Sequence, residues 1–320
     1  MATSEQIKSL IRSHWSDDQE QFFTTALQVA AHEAERGHGA LAVEIREIID
    51  LARRSKASRG LPELIPELQG LVHTEESKTP ISALVLPEVF LKRIRRILHE
   101  FLQSHKLKQH ALVPRSKILL TGPPGTGKTM TARVFAHELR LPLHTVQVDR
   151  LVTKYMGETS AKLRQIFDLI GRQKGVYLFD EFDAIGGGRS LDNDVGEMRR
   201  VLNALLQFIE RETSESMVVA ATNSPELLDR ALFRRFDDIL VYTLPEDQDR
   251  RRLIENALGT FLPKAFDWRD IVKVSHGLSS GEIFQAGCDA LKDAILQDRT
   301  FISPDSLKLS LKERRSSHTR

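Results

Sequence analysis

The segment from Gly122 to Thr129, GPPGTGKT, has the residue types and spacing best suited to chemistry. It matches G-x-x-x-x-G-K-[ST] and lies between a strand-like apolar run and a helix-like run. Glycines let such a loop wrap a phosphate with its N–H groups pointing inward, and the positive end of the following helix faces the same anion. Lys128 would reach the outer phosphates, and the Thr129 hydroxyl would bind Mg²⁺. We predict a nucleoside triphosphate site formed by Gly122, Pro123, Pro124, Gly125, Thr126, Gly127, Lys128, Thr129 and Met130.

Two adjacent carboxylates, Asp180 and Glu181, follow the apolar run GVYLF. An acidic pair that ends a strand is often only a solvated turn, but the phosphate loop earlier in the chain favours a functional interpretation. Asp180 would hold Mg²⁺ through its water shell. Glu181, which points elsewhere because side chains alternate along a strand, would polarise the attacking water. The predicted metal ligands are therefore Thr129 and Asp180, and the predicted catalytic carboxylate is Glu181.

A third strand-like run, MVVAAT, ends at Asn223. Asparagine after a strand is usually a turn former. Its position after a strand of the same predicted sheet favours a second role, in which its side chain hydrogen-bonds the attacking water or the γ-phosphate.

Short apolar runs alternate with helical stretches from residue 115 to residue 245. This alternation predicts an α/β fold with a parallel sheet covered on both faces. After Pro245 the sequence predicts helices only, with one apolar stripe formed by Ile283, Ala286, Ala290, Leu291, Ala294 and Ile295. Residues 1–60 are predicted to form a small helical domain, and residues 61–79, which contain several Gly and Pro, a linker.

The composition excludes several classes of protein. The 320 residues contain 46 Lys and Arg against 44 Asp and Glu, so no overall basic field attracts nucleic acid. The single cysteine, Cys288, is typical of a reducing compartment. The N-terminus lacks the pattern of a signal peptide, and no run of about 18 apolar residues occurs. We expect a soluble, cytoplasmic protein with no membrane partner.

The sequence resembles the AAA ATPases of the protein-remodelling branch over residues 80–310. GPPGTGKT resembles the Walker A motif, VYLFDEFD the Walker B motif, and AATN the first sensor. The resemblance implies an AAA+ core at residues 80–245, a helical lid at residues 246–315 and a tail at residues 316–320. It also implies ATP and Mg²⁺ as cofactors.

LDRALFRRFDD resembles the end of the family's second region of homology. The resemblance implies that Arg234 and Arg235 reach the nucleotide of a neighbouring subunit, so that hydrolysis requires a homo-oligomer, most simply a homohexamer. Many relatives have Pro-Gly between these arginines and this chain does not, which leaves open which arginine is the principal one. The alternative is a helix end that is salt-bridged to Asp237 or Asp238.

Two further segments carry the resemblance. SHGLSSGEIFQAG resembles the lid segment that packs on the adenosine, which implies that His276 and Gly281 lie near the base. LVTKYMGETSAKLRQIF resembles the first pore loop, which implies that Lys154, Tyr155, Met156 and Gly157 line a channel and grip a protein substrate. A tyrosine packed on its own domain is the alternative.

We therefore predict an ATP-hydrolysing ring that remodels or unfolds proteins. The N-terminal helices resemble those of small bacterial AAA ATPases that occur beside a subtilisin-like serine protease in phage-defence or plasmid-maintenance modules, which implies a protease partner. Neither HEAER nor HELRL contains the second histidine of H-E-x-x-H, so no zinc peptidase is predicted in the chain itself.

Two alternatives stay open from the sequence. The first is an ATP-dependent switch or loader that acts on DNA, which is less favoured because residues 1–78 carry 9 basic and 13 acidic side chains. The second is a scaffold that binds ATP without turnover. Glu181, Asn223 and the two arginines argue against a scaffold of this kind.

Overall fold

The computed structural model describes residues 19–35, 70–151, 156–182, 192–227 and 230–316, with isolated positions between residues 8 and 68. The chain divides into two compact units, residues 1–63 and 64–320. In the first unit, helix α1 spans Gln19–Glu35 and buries Ala30. Its Glu33 carboxylate lies 2.7 Å from Nδ1 of His38.

The second unit is built from alternating strands and helices. Within the described part of the chain its strands are β1 (Val72–Glu75), β2 (Lys117–Thr121), β3 (Leu143–Gln147), β4 (Val176–Asp180), β5 (Met217–Thr222) and β6 (Asp238–Val241). Its helices are α2 (Glu88–Leu102), α3 (Ser104–Gln109), α4 (Lys128–Leu139), α5 (Val148–Leu151), α6 (Met156–Arg172), α7 (Asp192–Arg211), α8 (Arg230–Phe233), α9 (Asp247–Leu258), α10 (Trp268–Val274), α11 (Ser280–Leu296) and α12 (Pro304–Ser316). In the described residues, no helix combines the length and the apolar character that a membrane crossing needs.

The six strands form one sheet in the order β1-β3-β4-β5-β2-β6. Strands β2 to β6 are parallel, and in the register Thr121 of β2 lies opposite Thr222 of β5 and Val241 of β6. The predicted parallel sheet is thus confirmed for these strands. β1 pairs antiparallel with β3. Residues 72–75 lie in the predicted linker, but in the structure they form the edge strand of the sheet.

The sheet is buried on both faces because its central strands are almost continuously apolar. One face packs under α6 and α7 and contributes Leu119, Tyr177, Phe179, Val218 and Ala220. The other face packs under α2 and α4 and contributes Ile118, Leu120, Leu178, Val219 and Ala221. Full burial of each Leu or Ile contributes about 1.5–3 kcal/mol. The two layers of helices therefore hold the strand ends in fixed positions, and these ends carry the polar residues discussed below.

Helices α9 to α12 form a subdomain with its own core. The predicted apolar stripe of α11 is only partly in that core. Ile283, Ala286, Ala290 and Ala294 are buried, whereas Ile295 is 51% exposed. The predicted stripe therefore extends beyond the core, because α11 is apolar over a wider arc than its neighbours cover.

A buried histidine, His144, links the edge strand to the sheet interior. Its Nδ1 lies 2.9 Å from Oγ1 of Thr74, and its ring stacks on Tyr177 with 4.5 Å between ring centroids. A Cβ at Gly175 would lie 2.6 Å from the ring, so the space around it is full. Burial lowers the pKa of His144 to about 4.

This pKa predicts acid sensitivity of the fold. Between pH 6.5 and pH 4 the unfolded chain binds one more proton at His144 than the folded chain, so the free energy of unfolding should fall as the pH falls. The total loss should be about 3 kcal/mol. Urea unfolding at a series of pH values measures it. His144→Phe keeps an aromatic ring but cannot titrate, so its free energy of unfolding should lack this decrease between pH 6.5 and pH 4. If the variant shows the same pH dependence as wild type, other groups cause the acid sensitivity.

Candidate nucleotide-binding site

Polar residues from three strands meet at the edge of the sheet where the parallel strands end, which we call the carboxyl edge. β2 runs into the loop that begins at Gly122, β4 ends at Asp180, and Asn223 follows β5. Because β5 lies between β2 and β4, these three positions are neighbours. They line a cavity of about 620 Å³ together with residues of the helical subdomain.

The phosphate loop is fixed at its base by β6. The N–H of Tyr242 donates to the carbonyl oxygen of Thr121 over 2.7 Å, and the Tyr242 hydroxyl lies 2.6 Å from Oγ1 of Thr131 on α4. Gly122 has a φ of +138°, and a Cβ there would overlap the carbonyl oxygen of Tyr242. Only glycine fits this position, because both the backbone conformation and the close approach exclude a side chain.

The lysine of the loop lies against the loop's own backbone. Helix α4 begins at Lys128, so the N–H groups of its first turn and its positive end face the loop. The buried Nζ of Lys128 donates to the carbonyl oxygens of Gly122 (2.7 Å) and Pro123 (2.8 Å). Oγ1 of Thr126 also donates to Pro123, over 2.7 Å. The ammonium group and the helix N-terminus therefore place positive charge at one point, which fits a polyphosphate.

A hydroxyl and a carboxylate meet beside the loop. Oγ1 of Thr129 donates to Oδ2 of Asp180 over 2.8 Å, although the two residues come from different elements. Mg²⁺ prefers oxygen ligands and is usually held by one or two carboxylates together with substrate phosphates and waters. The pair therefore has the chemistry of a Mg²⁺ site beside a bound nucleotide, and the assignment of Thr129 and Asp180 as metal ligands stays a prediction.

Glu181 adopts a strained backbone conformation. Its φ is +52°, in the left-handed region that costs a residue with a side chain about 1–3 kcal/mol. Its N–H donates to Oδ1 of the preceding Asp180 over 3.0 Å, which holds the turn. Both carboxylates line the cavity. Strand β4 ends at Asp180, so the backbone direction at Glu181 is set by this turn and not by the predicted alternation along a strand.

The helical subdomain contacts the loop directly. The N–H of Gly281, in the first turn of α11, donates to the carbonyl oxygen of Gly125 over 2.8 Å. A Cβ at Gly125 would lie 2.5 Å from Oγ of Ser279, the residue that caps α11. Gly281 therefore lies in the cavity, beside the phosphate loop. His276 does not: it is exposed and lines a separate hollow with Pro245 and Arg250, so the structure does not place it beside the loop.

The structure adds cavity residues that the sequence analysis missed. Most of them are apolar, and they come from the segment before α2 and from the helical subdomain. The set is Ala83, Leu84, Val85, Leu86, Leu253, Asn256, Ser280 and Phe284. The start of α11 could have been predicted, because Ser279 and Glu282 form the S-x-x-E pattern of a capping box. The structure contains this capping box. Residues 83–86 have no such signal, because they are ordinary apolar residues distant in sequence from the loop.

The arginines lie at the opposite edge of the sheet, which we call the amino edge. β6 begins at Asp238, opposite Ile118 near the start of β2, so Arg234 and Arg235 precede the strand. A strand of five residues is roughly 16 Å long, which separates these arginines from the phosphate loop of their own chain. Within the described chain, neither arginine lines the nucleotide cavity.

The ion pairs at this edge differ from the alternative considered from the sequence. Nε of Arg235 lies 3.1 Å from a carboxylate oxygen of Glu210, and both side chains are partly or largely exposed. Asp237 instead accepts from the N–H groups of Ser116 and Lys117, each over 2.9 Å. Asp238 pairs with Arg93 and Arg115. Arg235 is therefore salt-bridged to α7, not to either of the aspartates that follow it.

The predicted pore loop is mostly outside the described residues. Lys154 and Tyr155 are not among them. Met156 and Gly157 begin α6. The side chain of Met156 is not among the parts of the chain that the structure describes.

Comparisons with known proteins agree with this arrangement. Residues 118–244 match the ATPase family associated with various cellular activities (AAA). An uncharacterized AAA family ATPase, y4kL, of Sinorhizobium fredii is 33% identical over 318 residues, which cover 98% of this chain and 96% of the relative.

Two further relatives are named for the proteasome. A putative 26S proteasome regulatory subunit homolog of Methanocaldococcus jannaschii is 31% identical over 76% of this chain and 66% of the relative. The proteasome-activating nucleotidase of Pyrococcus horikoshii is 32% identical over 60% of this chain and 50% of the relative. The phosphate loop, the acidic strand end and the similarity over nearly the full length together show that the chain belongs to the AAA family of ATPases.

Proposed function

We propose that this ATPase works as a homo-oligomeric ring, most simply a hexamer, that uses ATP hydrolysis to remodel or unfold proteins. The observation that carries the proposal is the separation between the nucleotide cavity at the carboxyl edge and Arg234 and Arg235 at the amino edge. One copy cannot bring both to the same nucleotide.

A head-to-tail arrangement of copies resolves this separation. In such a contact the amino edge of one copy faces the cavity of the next, and the same contact repeated with a closing rotation generates a ring. The guanidinium groups then reach the phosphates from the side that Lys128 does not cover. Charge that spreads over the transferring phosphoryl group is neutralised by such arginines, and this is worth about 10³–10⁵ in rate in comparable enzymes.

The residues around the cavity divide the remaining work. Lys128 and the first turn of α4 bind the phosphates, and Thr129 and Asp180 would hold Mg²⁺, which supplies charge neutralisation when bound. Glu181 accepts the proton of the attacking water, and Asn223 orients that water or the γ-phosphate. The apolar residues 83–86 and the helical subdomain also line the cavity, and these apolar groups suit the base of ATP.

Glu181→Gln should abolish turnover while sparing nucleotide binding. The amide cannot accept the proton, so ATPase activity should fall by about 10²–10⁴-fold. Affinity for a fluorescent ATP analogue should change little, because Lys128 and the loop are untouched. Steady-state phosphate release and equilibrium fluorescence measure the two quantities. Glu226→Gln, which removes an exposed carboxylate after β5 outside the cavity, is the matched control and should behave as wild type.

Arg234→Ala and Arg235→Ala test the ring. Each should lower ATPase activity, and the larger loss, about 100-fold or more, identifies the principal arginine. An equimolar mixture of the double arginine variant with Glu181→Gln should be more active than either alone, since Glu181→Gln copies supply arginines to cavities that retain Glu181. Full activity of the double arginine variant would contradict catalysis between subunits.

A protein substrate is supported by the loop at residues 154–157, which resembles the channel loop of protein-remodelling relatives. Tyrosine suits such a contact because its rigid ring presses on any extended chain with little loss of side-chain entropy. Two relatives carry names that connect them to the proteasome, which agrees with a protein substrate for this chain.

Tyr155→Ala should abolish protein unfolding without abolishing ATP hydrolysis. ATP hydrolysis should persist within about threefold, since the residue is distant in sequence from the catalytic motifs, whereas ATP-dependent unfolding of a tagged fluorescent protein should be lost. Tyr155→Phe keeps the ring and should retain unfolding. Unfolding by Tyr155→Ala at the wild-type rate would exclude threading past this residue.

We further propose a serine protease as partner, in a phage-defence or plasmid-maintenance setting. The support is the resemblance of residues 1–60 to the N-terminal helices of small ATPases found beside such proteases. Glu181→Gln loaded with ATP in the native cells should retain this partner and release it on exchange to ADP. Recovery of nuclease-sensitive DNA without an enriched protein would favour a DNA loader instead.

A further inference from the structure

The nucleotide cavity has two kinds of lining. Residues 124–130 with Asp180, Glu181 and Asn223 form the part that faces phosphate and metal, and the segment before α2 with helices α9 and α11 forms the rest. In this second part, two of the described lining residues have polar side chains, Asn256 and Ser280. The others with side chains are apolar, and we call them the apolar wall: Ala83, Leu84, Val85, Leu86, Leu253 and Phe284.

Helix α9 holds Asn256 in a fixed position beside the apolar wall. Asn256 follows Leu253 by three residues, so the two side chains share one face of the helix. The next residue, Ala257, packs on α11, where a Cβ on Gly287 would lie only 2.6 Å from the Cβ of Ala257. The absence of a side chain at Gly287 lets the two helices touch. This contact fixes α9 relative to Phe284, which lies one turn before Gly287 on α11.

The same helices are tied to the phosphate loop. The N–H of Gly281 donates to the carbonyl oxygen of Gly125 over 2.8 Å, so the first turn of α11 is held against the loop. Ser280 precedes Gly281 and therefore lies beside the residues that bind the phosphates. Asn256 is exposed, and its amide makes no hydrogen bond with any residue that the structure describes. Its donor and acceptor atoms are thus open to a ligand in the cavity.

An amide beside an apolar wall suits one purine base better than the other. Adenine carries a 6-amino donor next to ring-nitrogen acceptors, and asparagine pairs with such an edge through its carbonyl oxygen and its amino group. Guanine carries an oxygen at C6, a protonated N1 and an amino group at C2. One amide cannot pair with all of these groups, and each one left unpaired against apolar side chains costs binding free energy.

We propose that Asn256 sets the base specificity of this site, with its Oδ1 accepting a hydrogen bond from the 6-amino group of adenine. This inference rests on the proposed use of the cavity for ATP. The apolar wall supplies contact area for the purine ring, and the amide selects the base. Asn256 is therefore a specificity-determining residue, and proton transfer at the phosphate stays with Glu181.

The test compares ATP with purine riboside triphosphate, which has the same ring system, ribose and phosphates but no 6-amino group. Both compete with a fluorescent ATP analogue for the protein, with EDTA present so that no Mg²⁺-dependent hydrolysis occurs. Wild type should bind ATP about 10-fold more tightly than the analogue. Asn256→Ala should bind the two within about twofold of each other, because a hydrogen bond needs both of its partners.

Two variants and one ligand serve as controls. Asn256→Asp keeps an acceptor oxygen, so it should retain the preference for ATP although its charge weakens binding of both nucleotides. Gln248→Ala removes another exposed amide of α9 that lies outside the nucleotide cavity, and its preference should equal that of wild type. Inorganic tripolyphosphate, which has neither base nor ribose, should bind wild type and Asn256→Ala equally. Asn256→Leu replaces Asn256→Ala if circular dichroism shows that the latter is unfolded.

Three results would overturn the proposal. A 10-fold preference for ATP that persists in Asn256→Ala shows that other groups read the 6-amino group. Loss of a preference for ATP over 2′-deoxy-ATP, with the base preference unchanged, places the amide on the ribose. Equal affinity of wild type for ATP and the analogue shows that the amino group is not read at all. A wild-type chain that binds neither ATP nor tripolyphosphate contradicts the nucleotide site itself, which distinguishes that failure from failure of the assignment to Asn256.

Discussion

Parallel pairing of β2 with β5 and β6 is the constraint on which the candidate site depends. It sends every chemistry-bearing strand end to the carboxyl edge, where the phosphate loop, Asp180 and Asn223 become neighbours. The same pairing sends the start of β6, and with it Arg234 and Arg235, to the amino edge. An antiparallel β6 would have placed the arginines beside the loop of their own chain. The direction of one strand thus decides at which edge of the sheet these arginines lie.

A second constraint is the contact between the phosphate loop and α11. One backbone hydrogen bond joins Gly281 to Gly125, and the hydroxyl of Ser279 occupies the space where a side chain on Gly125 would lie. The loop is therefore enclosed by Tyr242 on one side and the capping turn of α11 on the other. Its glycines serve two purposes, because they leave N–H groups open to phosphate and also let the two subdomains approach closely. This contact ties the position of the first turn of α11 to that of the loop.

The sequence could predict the parts of the site that are local. The phosphate loop, the acidic end of β4 and Asn223 each follow an apolar strand directly, and their meeting point follows from parallel pairing. It could not predict the left-handed conformation of Glu181, because nothing in the local pattern marks the turn. The sequence also could not predict that residues 83–86 line the cavity, because their position depends on how the chain crosses the sheet.

Two features of the helical subdomain differ from what the sequence pattern suggests. Ile295 belongs to the predicted apolar stripe and is exposed, because α11 has more apolar residues than its subdomain buries and periodicity alone does not show which of them are covered. His276 was assigned to the base through its neighbours in sequence. The turn between α10 and α11 places its side chain in the hollow with Arg250, while Gly281, five residues later, reaches the cavity.

In the proposed ring, division of the site between two edges would link assembly to ATP binding. In the proposed ring, the cavity of one copy and the arginines of the next both contact the same nucleotide, so the nucleotide binds the assembled state more tightly than the separate chains. By thermodynamic reciprocity, ATP must strengthen the subunit contact by the same factor. Hydrolysis followed by departure of phosphate would remove the charge that the arginines neutralise and so weaken that contact. In such a ring, arginines held away from their own nucleotide would convert the chemical state of ATP into a change in the affinity between neighbouring copies.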